Sequence, residues 1–444
     1  MLQRIQPPAP VPAVPIAEAH FPVPFAPGLE YSPAARGTWN IVHTGMLVPE
    51  SHQIYICAAG CLRGVVLTAA EMGEAYRARF SALELHEEDL YETDNETFLI
   101  EGITDILRRL PHLPRAVLVF TACVHHFLGC NLRYVYRTLR ARFPGVAFAE
   151  CVMDPIRQTK SLTPEERERR EIYRLLPADA PKDAHRINLI GSNLALTAAS
   201  DIKQLVAAAS ATLLDVTECA DYASFLRMAT ARANLYTNPF THVAARDLEK
   251  RLGQPALFLP QVWCYEEIRD AWQRLATFLD LPCPDLRPRI AECELAITAL
   301  RAQIGTPPIA IDFTFTFLPM SLARLLVSHG FHVAEIYADA IAKEDEGNFR
   351  WLQQHAPAIR LYPTKHPAMR RQPRARAGGP VLALGQKAAY FTGTRHFVPA
   401  VEGGGHYGLE AIRWLADAMS RAALLPQDTE QIIRRKGWGG PSCL

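Results

Sequence analysis

The sequence lacks the features that identify several large classes of protein. It contains no uncharged apolar run of about eighteen residues or more, which argues against a membrane-spanning helix. Its first residues show no basic segment followed by an apolar one, so no secretory signal is predicted and we expect a cytoplasmic protein. The net charge of only +1 gives no indication of a nucleic acid or an anionic membrane as a partner.

Several catalytic and nucleotide-binding motifs are also missing. There is no Gly-x-x-x-x-Gly-Lys-Ser/Thr, so we do not expect this chain to hydrolyse ATP through a P-loop. The one Gly-x-Gly-x-x-Gly, at residues 403–408, follows no predicted strand, which leaves nicotinamide or flavin binding of the Rossmann type unsupported. The Gly-x-Ser-x-Gly elbow and the His-Glu-x-x-His metalloprotease motif are both absent.

What the sequence does contain is ten cysteines, four of them in two suggestive segments. Cys57 and Cys61 belong to Cys-Ala-Ala-Gly-Cys, and Cys123 and Cys130 flank Val-His-His-Phe-Leu-Gly. Each segment adjoins a strongly apolar, strand-like run. Thiols from the ends of neighbouring strands can converge, and thiolates are the ligands that an iron–sulfur cluster requires. The alternative is that these cysteines are merely buried as small apolar side chains.

Other residues are weaker candidates for function. His396 and His406 are candidates for lining a cavity, because consecutive glycines before His406 would let the backbone approach a ligand closely. A plain flexible turn explains the same glycines equally well. His125 and His126, next to Cys123, are more readily explained as hydrogen-bonded structural residues. A basic loop could bind an anion or an acidic surface, although a solvated loop is the favoured explanation; its cations are Lys365, Arg370, Arg371, Arg374 and Arg376.

The pattern of apolar runs and amphipathic stretches predicts an α/β protein. Residues 1–30 are rich in proline and read as an extended arm, which could lie on a partner subunit. Three β–α alternations follow, and they predict a cluster-binding domain over 31–185, a second domain over 186–304 and a third over 305–444 with a closing C-terminal helix. The predicted fold class is therefore three Rossmann-like domains with mainly parallel sheets around a central cavity, where ligands gather at the carboxyl ends of strands.

Individual elements are predicted within this scheme. Helical periodicity is clear over residues 97–110 and 132–143, and a buried strand is predicted over 116–120. Thr163, Pro164 and Glu166 form the sequence of a capping box that opens a charged helix. The last long helix is predicted to run from about residue 407 to residue 421.

At the cysteine motifs, the chain resembles the nitrogenase component 1 superfamily over about residues 40–425. Ile56-Cys-Ala-Ala-Gly-Cys61 is similar to the family's His-Gly-x-x-Gly-Cys, whose cysteine ligates the cluster at the subunit interface. The resemblance therefore assigns that role to Cys61. Val117-Leu-Val-Phe-Thr-Ala-Cys123 is similar to the strand that ends in the next cluster cysteine, and Asn188-Leu-Ile-Gly-Ser-Asn193 is similar to the strand that opens the second domain.

The chain also departs from the family's pattern. The family's first cluster cysteine has no counterpart, so Cys57 is the candidate third ligand and Cys130 a weaker one. The cysteine that binds the active-site cofactor in dinitrogenase α subunits is absent, with Thr237 nearest that position. No catalytic residue is assigned, and nitrogen fixation by this chain alone is not expected.

The resemblance implies a subunit of a nitrogenase-like reductase, an oxidoreductase that acts with partners. It implies a P-cluster-like eight-iron or [4Fe–4S] cluster at the subunit interface, with a larger iron–sulfur cofactor either in the cavity or in a sister subunit. The implied partners are a related component 1 subunit, in an α2β2-type assembly or a homodimer, and a homodimeric ATP-dependent iron–sulfur reductase. No nucleic acid or membrane is expected.

The substrate is expected to be small. The reaction favoured here is reductive cleavage of the carbon–sulfur bond of methylthio-alkanes. The alternatives are a subunit of a tetrapyrrole reductase, a scaffold on which a complex iron–sulfur cofactor is assembled, and a Rossmann-like binding protein whose cysteines are simply buried.

Overall fold

The structure is a computed structural model that describes residues 12–26, 28, 30, 40–92, 94–153, 162–371 and 382–429. Within these ranges, none of the helices combines the length and the apolar character needed to cross a membrane.

All the described strands lie in three sheets. In chain order the described strands are β1 (Val14–Pro15), β2 (Ser51–Cys57), β3 (Phe80–Glu84), β4 (Ala116–Ala122), β5 (Ala147–Met153), β6 (Asp183–Leu189), β7 (Thr212–Asp215), β8 (Ala231–Tyr236), β9 (Ala256–Phe258), β10 (Ile309–Asp312), β11 (Val333–Tyr337), β12 (Arg360–Tyr362), β13 (Leu382–Leu384) and β14 (Phe397–Val398).

The helices alternate with these strands. In chain order the described α-helices are α1 (Ile41–Met46), α2 (Ala59–Glu71), α3 (Glu74–Arg77), α4 (Asp89–Glu92), α5 (Asn95–Arg109), α6 (Cys123–Phe127), α7 (Leu132–Arg142), α8 (Pro164–Arg174), α9 (Asp201–Ala208), α10 (Tyr222–Leu226), α11 (His242–Leu252), α12 (Tyr265–Phe278), α13 (Arg287–Ile304), α14 (Pro319–Ser328), α15 (Glu346–His355), α16 (Gln386–Thr392) and α17 (Leu409–Leu424).

The chain divides into two compact units, and one of them comprises residues 39–195 and 210–259. This unit contains the first sheet, with strand order β3-β2-β4-β5, and the second sheet, with order β7-β6-β8-β9. Every strand pair in both sheets is parallel. Parallel neighbours place their carboxyl ends at the same edge, so residues that follow β2 and β4 lie close together.

The central strands β2 and β4 of the first sheet are buried at every residue, and most of their side chains are apolar because both faces of the sheet are covered. Ile54 and Ile56 of β2 face a core that includes side chains from α5 and α7. Tyr55 and Cys57 alternate with them and face a second core, to which α1, α2 and α8 contribute. Cys57 is thus a core residue at the last position of its strand.

The other unit comprises residues 1–38, 196–209 and 260–444 and contains the third sheet, ordered β1-β12-β11-β10-β13-β14. Strands β10 to β14 pair in parallel, whereas β1 pairs antiparallel with β12 at the edge. The described part of the proline-rich segment therefore packs against the sheet of its own chain. Ile16 is fully buried, and its N–H donates to the carbonyl oxygen of Ile359 at 2.8 Å.

The predicted α/β fold with mainly parallel sheets is confirmed. The capping box is also confirmed: Thr163 Oγ1 accepts from the N–H of Glu166 at 3.2 Å, and Glu166 Oε2 accepts from the N–H of Thr163 at 2.9 Å. Helix α17 begins two residues later and ends three residues later than the predicted range of 407–421. The three-domain boundaries at 185/186 and 304/305 stay predictions.

Candidate functional site

The candidate site lies at the carboxyl edge of the first sheet, where β2 and β4 end. Cys57 is the last residue of β2, and Cys123 follows the last residue of β4 as the first residue of α6. The two strands pair in register up to Ile56 and Thr121. The chain turns at Ala58 into α2, which places Cys61 in the first turn of that helix. The fold therefore brings together the three thiols that the sequence singled out.

The pKa of Cys57 reflects the proximity of the three thiols. Its side chain is 2% exposed, and burial, a hydrogen bond with Cys61 and the neighbouring Cys61 and Cys123 thiols together raise its pKa to about 12. Burial is the largest of these causes because a thiolate is poorly solvated in an apolar core. Cys57 is thus a neutral thiol at physiological pH and would release its proton only to a strongly bound metal.

The other two thiols are more accessible. Cys61 is exposed and Cys123 is half-buried. The apolar side chains near them in sequence are also exposed: Val66 and Leu67 on α2 by 41% and 36%, and Phe127 and Leu128 after Cys123 by 66% and 47%. A surface that combines accessible thiols with exposed large apolar side chains is typical of a region that another protein covers.

Cys130 lies in different surroundings. Its described neighbours include Glu96 and Asp94, and it packs against the core that α5 and α7 share. Burial, followed by the charges of these two carboxylates, raises its pKa to about 12. Among the described residues, the charged groups that act on Cys130 are these carboxylates and not the thiols of Cys57, Cys61 or Cys123.

His125 supports the backbone at this edge. Its Nδ1 accepts from the N–H of Ala122 at 3.2 Å, just before Cys123 begins α6. Burial lowers the pKa of His125, so the ring is neutral at physiological pH, and its Nε2 atom is buried without a hydrogen-bond partner. His126, in contrast, is exposed.

The chemistry of the donor set fits an iron–sulfur cluster better than a single metal ion. Over the described ranges, no three side chains of His, Cys, Asp or Glu are arranged to hold one metal ion. A cluster distributes its thiolates over several irons, so its ligands need not converge on one point. Three sulfur donors without a carboxylate or imidazole among them match that requirement.

The carboxyl edge of the second sheet does not offer a thiol at the position that the resemblance singles out. Thr237 follows β8 directly, and the next polar side chains are Asn238 and Thr241, which are 2% and 0% exposed. Asn238 Oδ1 accepts from the N–H of Phe240 at 2.9 Å, which shapes the turn. Amide and hydroxyl groups are poor ligands for iron in a cluster. Thr237, Asn238 and Thr241 are therefore unsuited to holding a second cluster at this position.

The two candidate cavity histidines differ in their surroundings. His396 Nδ1 lies 2.9 Å from the carbonyl oxygen of Ala422, near the C-terminus of α17. His406 Nδ1 lies 2.5 Å from Glu410 Oε1, and its ring stacks on Trp414. Glu410 was not singled out from the sequence, although its position four residues after His406, at the start of a helix, was a usable signal.

The basic loop is only partly described. Lys365 lies 3.6 Å from Glu30 and forms an exposed ion pair, and Arg370 is exposed. The side chain of Arg371 and all of Arg374 and Arg376 lie outside the described residues.

Comparison with known proteins identifies the family. The family model for nitrogenase component 1 type oxidoreductase matches residues 46–405. The fold is similar to a structure described as nitrogenase Cp1 at pH 6.5, with a TM-score of 0.68 and 12% identity over 90% of this chain and 94% of that chain. A second structure, nitrogenase Cp1 at pH 5, gives a TM-score of 0.59 and 11% identity over 90% of each chain.

These structural likenesses establish the fold, and the family match covers most of the chain. No protein with a curated description matches the chain significantly in sequence. The chain belongs to the nitrogenase component 1 type oxidoreductases.

Proposed function

We propose that this chain is a subunit of a nitrogenase-like reductase that receives electrons through an iron–sulfur cluster held by Cys57, Cys61 and Cys123. The observation that carries the proposal is the grouping of these three thiols at the carboxyl edge of the first sheet. When bound, such a cluster would store and pass on single electrons at low potential.

Each cysteine has a distinct part in this proposal. Cys57 would hold the cluster from the core side, since it is buried at the end of β2. Cys61 would hold it from the surface side, because its side chain is exposed. Cys123 would complete the set from α6. Binding would require all three thiols to lose their protons, so the affinity for the cluster should fall as the pH falls.

A partner subunit would cover this edge of the molecule. Cys61 and the exposed side chains of Leu67 and Phe127 would be removed from water there, and the partner would supply the remaining cluster ligands. The partner we propose is a related component 1 subunit or a second copy of this chain. Electrons would come from a separate ATP-dependent iron–sulfur reductase, because this sequence has no P-loop of its own.

The substrate that we propose first is a methylthio-alkane, whose carbon–sulfur bond would be cleaved reductively. The absence of a thiol at Thr237 favours a second candidate function, a scaffold that assembles a complex cofactor and releases it. A scaffold gives up its cofactor to an apo-acceptor protein, whereas a reductase keeps its clusters through many turnovers.

The experiment that tests the function uses the chain purified anaerobically with its partner subunit. Dimethyl sulfide, ATP, dithionite and the iron–sulfur reductase are supplied, and methane and methanethiol are measured while the reductase is titrated. Product that rises with the reductase and requires ATP supports the reductase. Transfer of iron to an apo-acceptor without product formation favours the scaffold and contradicts the reductase.

A further inference from the structure

His406 lies in a turn at the carboxyl edge of the third sheet. The turn joins β14 to α17, and the N–H groups of Glu402 and Gly403 donate to the carbonyl oxygens of Thr314 and Phe315 at 2.9 and 2.7 Å. Those two carbonyls belong to the loop that follows β10. In the third sheet, β11 and β12 lie on one side of β10, whereas β13 and β14 lie on the other, so the strand order reverses between β10 and β13. Ligands of parallel sheets bind at the carboxyl edge where the strand order reverses.

The glycines of this turn are required by its shape. Gly403 has φ +74°, and a Cβ atom there would lie 2.0 Å from Gln261 Nε2. Gln261 Nε2 in turn donates to the carbonyl oxygen of His406 at 2.8 Å. The backbone of His406 is therefore fixed by a neighbouring side chain as well as by the turn itself.

The His406 ring is also held from two sides. Its Nδ1 lies 2.5 Å from Glu410 Oε1, and its plane stacks on Trp414 with ring centroids 4.2 Å apart. Glu410 is itself nearly buried, with a side chain 10% exposed, and its Oε2 accepts from Thr197 Oγ1 at 3.4 Å. Trp414 stacks in turn on Phe315 of the loop after β10.

One edge of the ring is left open by this arrangement. The His406 side chain is 16% exposed, and no hydrogen bond to its Nε2 is found among the described residues. An imidazole whose Nδ1 is held by a carboxylate has a defined tautomer and presents Nε2 to its surroundings. Such a group is suited to passing a proton to a bound molecule.

We propose that His406 donates a proton to the substrate at the carboxyl edge of the third sheet, and that Glu410 and Trp414 position its ring. The inference rests on the proposed function, because reduction consumes protons together with electrons. For dimethyl sulfide, two electrons from the iron–sulfur reductase and two protons break one carbon–sulfur bond and yield methane and methanethiol. His406 Nε2 first takes up a proton from water and then passes it to the substrate, and water supplies the second proton directly.

The same contacts could serve only to stabilise the first turn of α17, so the test needs a matched control. His329 is a second histidine paired with a glutamate in the same unit. Its Nδ1 lies 2.7 Å from the carbonyl oxygen of Leu325, and its Nε2 lies 2.9 Å from Glu294 Oε1. Both ring nitrogens of His329 are occupied, so it lacks the open edge that the proposal requires.

The first readout is kinetic and uses the complete complex with dimethyl sulfide as the probe. His406→Gln should lower kcat by about 100-fold while KM stays within about twofold of the wild type. Glu410→Gln should lower kcat less, because the ring remains but its orientation is lost. His329→Gln should leave both constants unchanged. An unchanged kcat in His406→Gln, with the cluster signal intact in EPR, overturns the inference and leaves the proposed function standing.

The second readout does not depend on turnover or on a variant that folds. Nitrogen-15 chemical shifts of histidine-labelled wild-type complex report which ring nitrogen carries the proton. The Nδ1 atom of His406 should be protonated, as its contact with Glu410 requires. A neutral ring protonated at Nε2 overturns the inference whatever the kinetic result. Absence of reductase-dependent reduction by the wild-type complex, in contrast, overturns the proposed function itself.

Discussion

Among the three thiols at the edge of the first sheet, Cys57 alone belongs to the core. Its pKa of about 12 means that the apolar surroundings oppose the thiolate, so cluster binding has to supply the free energy of deprotonation. Residue identity alone could not reveal this difference between Cys57 and Cys61. The sequence predicted both as ligands, but their burial depends on which face of β2 and which turn of α2 they occupy.

The first prediction concerns Cys57 as a ligand. Cys57→Ser should change the EPR signal and the reduction potential of the cluster, because a serine oxygen is a harder ligand than a thiolate. Cys219→Ser is the control, since the thiol of Cys219 donates to the carbonyl oxygen of Asp215 and is not among the groups that raise the pKa of Cys57. If neither variant changed the EPR signal or the reduction potential of the cluster, Cys57 would not be a ligand.

A second prediction at this scale concerns Asp345, which sequence reasoning did not single out. Asp345 is fully buried, and its carboxylate accepts from the N–H groups of Met320 and Ser321 at the start of α14, at 2.7 and 2.8 Å. Burial, with a smaller contribution from Glu267, raises its pKa from 3.8 to about 7. The folded state therefore binds the proton more tightly than the unfolded chain, and stability is lost as the pH rises from about 4 through 7.

Asp345→Asn cannot ionise and should abolish this part of the pH dependence. Between pH 4 and pH 8 the difference corresponds to a free energy of unfolding on the order of 4 kcal/mol. Melting temperatures of wild type and variant should therefore converge or cross as the pH rises. Asp270→Asn, at an exposed position of α12, is the control. Parallel melting curves for wild type and Asp345→Asn across this range would contradict the prediction.

At the scale of elements, regular amphipathic patterns were the most predictable part of the fold. The predicted helices over 97–110 and 132–143 correspond to α5 and α7 within one residue at their C-terminal ends. Helix α13 was not predicted, and its pattern explains why: over eighteen residues it buries only Cys293, Ile297 and Leu300. Strand β1 was also missed, because its two residues form a strand only through pairing with β12.

The turn before α17 yields the third prediction. Gly408 has φ +76°, and a Cβ atom there would lie 2.0 Å from Asp201 Oδ2. That carboxylate oxygen accepts from Trp272 Nε1 and from the N–H of Leu409, both at 2.7 Å. Gly408→Ala should therefore lower the free energy of unfolding by roughly 1–3 kcal/mol or more.

Gly347→Ala is the matched control for this change. Gly347 lies in α15, and a Cβ atom there would have no neighbour within 4 Å. Alanine should be neutral or slightly stabilising at that position, by up to about 1 kcal/mol. Thermal unfolding of the two variants checks the prediction, and a Gly408→Ala protein as stable as Gly347→Ala would contradict it.

At the scale of the whole molecule, the family and the parallel sheets could be inferred from short motifs spread along the chain. The substrate could not, because Thr237 stands nearest the position where the resemblance places a cofactor cysteine, and its hydroxyl identifies no ligand. The partners were inferred from the resemblance, and the missing P-loop agrees with a separate reductase.

The fourth prediction follows from that absence. The purified chain should hydrolyse no ATP and should reduce no dimethyl sulfide with dithionite alone. Both activities should appear when a homodimeric iron–sulfur reductase and the partner subunit are added, because nucleotide chemistry then resides in the reductase. Substrate turnover without ATP and without the reductase would contradict a nitrogenase-like mechanism.

The content of iron and acid-labile sulfide in the anaerobically purified complex shows most directly whether Cys57, Cys61 and Cys123 hold an iron–sulfur cluster. The wild type should contain both, and Cys61→Ala and Cys123→Ala should each lose the cluster and weaken subunit association, because cluster binding contributes to assembly. Cys219→Ser should retain the wild-type content. Iron and sulfide that are absent from the wild type, or unchanged in both alanine variants, would contradict the assignment of an iron–sulfur site to these cysteines.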